Sequence, residues 1–130
     1  MPDESPLAAL RAAAEAVRHQ LRAAAFDLVA VQQLAAFIEA QPAFSSDEER
    51  QGVVTALGCF LGECLVQTYG GTWAQGPDGT TGVGINQHSF FNPFFRVSEQ
   101  LTKGAPESVA KFFASIPIHL ENQGRRHRIT

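Results

Sequence analysis

Glu63, Trp73, Asn86 and His88 are the residues whose types suggest chemistry in this chain. An acid, an indole N–H, an amide and an imidazole meeting at one pocket could bind a small polar ligand or serve acid–base catalysis. Glu63 is the most informative of the four. On a helical wheel it lies opposite the apolar face of its segment, beside Gly52, Ala56, Cys59 and Gln67. Neighbours this small let another element pack there and bury the carboxylate, and a buried carboxylate can become a general base. The plainer alternative is an exposed helix residue, or one hydrogen-bonded to nearby backbone.

Other chemistries find less support. His88-Ser89 are adjacent in sequence, whereas a serine hydrolase brings its His to the Ser through the fold and sets the Ser on a strained turn. His19, His88, His119 and His127 are scattered, with no pair four apart on a helix to ligate zinc. Gly76, Gly79, Gly82 and Gly84 are followed by no Gly-Lys-Ser/Thr and open no helix, so they do not read as a phosphate loop. Cys59 and Cys64 sit five apart, which on a helix separates their Cα atoms by roughly 8 Å, beyond disulfide reach. Both are read as free thiols in an apolar setting. No metal, cofactor or catalytic residue is assigned.

The elements that must position these groups follow from periodicity and caps. Pro6 opens an alanine-rich helix, with Leu7, Leu10, Ala14, Val17, Leu21 and Ala24 recurring at threes and fours. Residues 6–40 could form one long helix with a seam able to dimerise, or two helices broken near Phe26-Asp27. The weak Ala and Val seam favours two. Ser46 with Glu49 forms a capping box, and the helix it opens runs to Tyr69 before Gly70-Gly71. Its face of Val53, Val54, Leu57, Phe60, Leu61, Cys64 and Leu65 is the strongest periodic signal in the chain. Gly58 and Gly62 on the same helix point to close packing by a neighbour.

Thr72–Gln75 and Thr80–Asn86 read as a hairpin around Gly76-Pro77-Asp78-Gly79. Gly82 and Gly84 leave one face of the return strand bare, to be covered by a ring such as Trp73 or approached by another backbone. Asn92 and Pro93 open a fourth helix that Gly104 ends. Pro106 opens a fifth that Pro117 stops. Phe90, Phe91, Phe94 and Phe95 crowd together, so any ring left exposed marks a contact surface.

The blocks Leu57-Gly58-Cys59-Phe60-Leu61-Gly62-Glu63-Cys64, Tyr69-Gly70-Gly71-Thr72-Trp73 and Asn92-Pro93-Phe94-Phe95-Arg96-Val97, with Phe26-Asp27 and Ile38-Glu39, resemble an uncharacterised family of small bacterial cytoplasmic domains. The resemblance spans residues 26–117. It implies a helix starting after the Phe-Asp pair and no established activity. Some relatives resemble toxin-immunity proteins, which implies a binding role. The sequence departs from the family pattern at Gly82 and Gly84, where bulkier residues are usual.

Composition bounds the rest. The chain has 130 residues, is 45% hydrophobic and carries a formal charge of −3. This is enough apolar material for one core, and too little clustered positive charge for a nucleic-acid partner. No run of about 18 apolar residues marks a membrane span, and the acidic N-terminus lacks a signal-peptide n-region. The expected compartment is the cytoplasm.

The expected architecture is α+β and mostly helical, with about five helices around one antiparallel β-hairpin in the order α-α-α-β-β-α-α. Residues 1–25 are expected to form a helical extension on or beside a domain of residues 26–117, followed by a flexible basic tail at 118–130. The leading functional expectation is a non-enzymatic protein-interaction module that self-associates as a homodimer through helix 1 and the hairpin edge, with a further protein partner possible. The alternatives are a ligand-binding protein or enzyme with a pocket near Glu63 and Trp73, and an immunity-type binding protein.

Overall fold

A computed structural model describes residues 6–76 and 78–128. Its elements are α1 (Pro6–Leu21), α2 (Leu28–Glu39), α3 (Asp47–Tyr69), β1 (Thr72–Gln75), β2 (Thr81–Ile85), β3 (Ser89–Phe91), α4 (Pro93–Lys103) and α5 (Val109–Arg128). The fold is α+β and mostly helical, in the expected order of elements.

The two-helix reading of residues 6–40 holds. α1 stops without a glycine. Arg22 takes the left-handed conformation, with φ of 57°. The Arg22 N–H then donates to the His19 carbonyl at 3.1 Å, and the Ala23 N–H donates to the Arg18 carbonyl at 3.0 Å. This pair of bonds is a Schellman closure. Arg18 reinforces it by donating from Nη1 to the Ala23 carbonyl at 2.9 Å. Asp27 then caps α2, accepting from the Ala30 N–H at 3.0 Å.

α3 is the central helix. Ser46 Oγ accepts from the Glu49 N–H at 3.1 Å. Glu49 reaches back to Ser45, one residue beyond the box position, accepting from its N–H at 3.3 Å and its Oγ at 2.9 Å. Gly70, at φ of 74°, closes the other end. Every residue from Leu57 to Leu65 is buried, so α3 is enclosed on all sides in its middle rather than along one stripe. α1 packs on it, as do α2, α4 and the sheet. α3 is the one described helix long and apolar enough to cross a bilayer, but over half of its apolar window lies inside the fold, as in a core helix. α1 contributes Val17 to the same core cluster as α2 and α3, so it is built into the domain.

Three expectations need correction. The hairpin is part of a three-stranded antiparallel sheet in the order β1-β2-β3, because Ser89–Phe91 returns along β2 with Ile85 opposite Ser89. The turn between them uses Asn86 and Gln87 at φ of 67° and 83°, a left-handed pair with no glycine to announce it. Pro117 also does not stop the last helix. α5 continues through it to Arg128, so the segment read as a separate tail is helical there. The Pro106 region is a 3-10 turn over Ala105–Glu107, and α5 begins after it.

Candidate functional site

Glu63 is buried, at 6% exposure, in the middle of α3. Its Oε1 accepts from the Trp73 indole N–H at 3.2 Å, and its Oε2 accepts from Gln67 Nε2 at 2.9 Å. Trp73 reaches it because Gly62 has no side chain. A Cβ at Gly62 would overlap the indole, and a Cβ at Gly58, one turn earlier, would overlap the Phe94 ring. The two rings also contact each other, with centroids 6.1 Å apart. The Gly58/Gly62 pair is therefore a seat for two rings, one from β1 and one from α4.

The structure brings together two of the four sequence-derived site residues. Glu63 and Trp73 are hydrogen-bonded, while Asn86 and His88 lie exposed in the β2–β3 turn. Glu63 spends both carboxylate oxygens on neutral donors, an arrangement that clips β1 to α3. Among the described residues, no group of three His, Cys, Asp or Glu side chains could hold a metal ion. Cys59 and Cys64 are buried free thiols; burial raises Cys59 and pushes Cys64 well above the ordinary thiol range. Thiolate chemistry is suppressed in such a setting.

The phenylalanine cluster divides its work. The Phe90 ring lies across Gly76 and Gly82, where the Phe91 carbonyl also closes in, while a Cβ at Gly84 would meet only the Ser89 and Thr72 carbonyls. Of the two expectations for this face, a ring does cover part of it, Phe90 rather than Trp73, and backbone also approaches it, from β3. Phe91 packs on Phe112 and His119, at 5.7 and 5.5 Å between centroids. Phe94 fills the Gly58 seat. Phe95 stays 53% exposed.

What the residue types did not reveal is a pair of adjoining clefts between α1 and the sheet. One has a volume of about 380 Å³ and is lined by Leu7, Leu10, Trp73, Ala74, Gln75 and Thr81. The other, about 330 Å³, shares Pro6, Leu10 and Thr81 with it and reaches Cys59. Their walls are largely apolar because the first turns of α1 present Leu and Ala to the strand. The only sequence signal for them is the apolar start of α1.

β1 is an edge strand, and its register fixes which backbone groups face outward. The Gly76 N–H donates to the Thr80 carbonyl at 2.7 Å, which makes 76 and 80 a bonded pair. The antiparallel alternation then turns Ala74 and Thr72 toward β2, and leaves the N–H and C=O of Trp73 and Gln75 on the open edge. Among the described residues no strand pairs with this edge, which borders the first apolar cleft.

These features define a mostly helical α+β protein with an open strand edge beside an apolar cleft. No family model matches the chain, and no curated protein or solved structure is significantly similar to it.

Proposed function

We propose that this chain is a cytoplasmic, non-enzymatic interaction module that associates with a second copy of itself across the α1–β1 surface. The observation that carries this reading is the open edge at Trp73 and Gln75 beside the apolar cleft lined by Leu7 and Leu10. A second β1 laid antiparallel on this edge would satisfy the outward backbone groups and seat apolar side chains in the cleft. Leu7, 38% exposed at the start of α1, extends the same apolar surface. The commitment of Glu63 to Trp73 and Gln67 favours a binding role over acid–base chemistry. Kinship with the small bacterial domains that share the Leu57–Cys64 and Asn92–Val97 patterns belongs to the same proposal.

Removing residues 1–25 is not a clean test, since it strips buried Ala14, Val17 and Ala23 from the fold. Point variants are better. Gln75→Pro removes an outward N–H and leaves the β2 ladder intact, and Leu7→Glu places a charge in the cleft. Light scattering behind a sizing column should give a dimer for the parent chain and a monomer for both variants, with unchanged circular dichroism. A parent chain that stays monomeric at about 100 µM would overturn the proposal, because contact weaker than that leaves little dimer at ordinary concentrations.

A further inference from the structure

A third cleft, about 420 Å³ in volume, lies where the end of α2, the α2–α3 loop and the end of α4 meet. Glu39, Arg50 and Lys103 bring charge to it; Lys103 is paired with Glu99, while the exposed Glu39 and the half-buried Arg50 each rest on neutral partners and do not pair with each other. Arg50 Nη2 donates to Thr102 Oγ1 at 2.7 Å and to both the carbonyl and Oγ of Ser98 at 3.2 Å. All three acceptors are neutral, so the guanidinium charge meets no carboxylate among the described residues. Glu39 is positioned in turn by Gln100, which is 2% exposed. Gln100 Nε2 donates to Glu39 Oε2 at 2.9 Å and to the Ala35 carbonyl at 3.1 Å, while its Oε1 accepts from the Val109 N–H at 2.9 Å. A buried, fully bonded amide therefore holds the acid, and a hydroxyl-and-carbonyl cradle holds the base.

Acceptors also gather on the acid's side of the balance. Leu101, Thr102 and Lys103 line the cleft and form the last turn of α4. Their carbonyls follow the Gln100 carbonyl, which takes the closing bond from the Gly104 N–H at 2.8 Å, so they lack helical donors. The negative end of the helix favours a cation there. Ile38, Phe44 and Leu101 supply apolar wall.

We infer that this cleft binds a small zwitterion, a free amino acid with an apolar side chain. Its carboxylate lies on Arg50, its ammonium on Glu39 and the α4 carbonyls, and its side chain against Phe44 and Leu101. The volume is of the size that small-molecule sites use. Two opposite charges held short of each other, each by neutral partners, are already arranged for a ligand carrying both. This site is separate from the α1–β1 surface and stands or falls independently of self-association.

The test is thermal unfolding of the full chain with leucine and phenylalanine, beside N-acetyl-leucine and leucine methyl ester. A saturable rise in Tm of about 3–5 °C is expected with at least one of the amino acids and with neither blocked form. Glu39→Gln keeps an acceptor for Gln100, and Arg50→Lys keeps a cation near Thr102. Each should fold, as circular dichroism will show, and each should lower the apparent affinity at least tenfold. Absence of any shift at about 10 mM ligand would overturn the inference, as would equal shifts with the blocked forms. Folded variants that bind as tightly as the parent would do the same.

Discussion

The Tyr69 hydroxyl donates to the Phe113 carbonyl at 2.8 Å. Phe113 lies four residues before Pro117, and a proline has no N–H to return to that carbonyl. Tyr69, the last residue of α3, supplies the donor that the helix lacks. Its ring also packs on Phe113, with centroids 4.9 Å apart. This tertiary bond helps explain how α5 runs through a residue that reads as a stop.

Tyr69→Phe should therefore cost about 1–2 kcal/mol, since it keeps the ring and strands the carbonyl. In a Pro117→Ala background the restored backbone N–H takes over the carbonyl, and the same change should cost little. Urea unfolding of the four chains measures the coupling. Equal costs in both backgrounds would show that Tyr69 does not act through this carbonyl.

Alkaline pH should destabilise the fold in two stages. Burial raises the Cys64 thiol, with Asp27 and Glu63 adding to the effect, and burial also raises Cys59 and Tyr69. An acid whose folded pKa is raised keeps its proton longer in the native state, so its stabilisation is full below the unfolded pKa and fades as pH climbs through the folded one. Stability should start to fall above about pH 8.5 through the thiols, and fall further above about 10 through Tyr69. Cys64→Ala should flatten the first stage, and Tyr69→Phe the second. Denaturation midpoints at pH 7, 9 and 10.5 read both.

Gly62→Ala should cost about 1–3 kcal/mol, because its methyl group runs into the Trp73 indole. The chain has one tryptophan, so its emission reports the displacement directly. Gly52→Ala, on the same helix with open space around it, should instead be neutral or stabilising by up to about 1 kcal/mol. Similar penalties at the two sites would mean that Trp73 does not rest on Gly62.

Arg22→Gly should stabilise the chain by about 0.5–1 kcal/mol, since glycine takes the left-handed position without a Cβ clash. Arg22→Ala, which keeps that clash, should stay near the parent value. A midpoint for the glycine variant below that of the parent would show that the arginine side chain makes a contribution larger than the backbone strain.

Much of the fold was legible because the chain marks its own boundaries. Ser46, Gly70, Asn92 and Gly104 each perform the capping role their residue type suggests. What escaped the sequence depends on partners distant along the chain. Arg22 ends α1 in a conformation that arginine rarely takes. β3 is three residues long and exists by pairing with β2. Pro117 is tolerated beside a hydroxyl supplied from Tyr69. At the candidate site, small neighbours hinted that Glu63 would be covered, and Trp73 does cover it through Gly62. The Arg50 and Glu39 arrangement gave no local signal, because Ser98, Gln100 and Thr102 reach it from half the chain away.

The two ring seats at Gly58 and Gly62 stand one turn apart on α3, roughly 6 Å along its axis. They act as notches in a ratchet, and the teeth come from two separate elements, β1 and α4. Neither element can creep along α3 by a fraction of a turn. To move, a ring would have to leave its notch and settle over a residue that carries a side chain. The sheet and α4 are thus indexed to α3 at a single setting, and the surfaces built on either side inherit that fixed alignment.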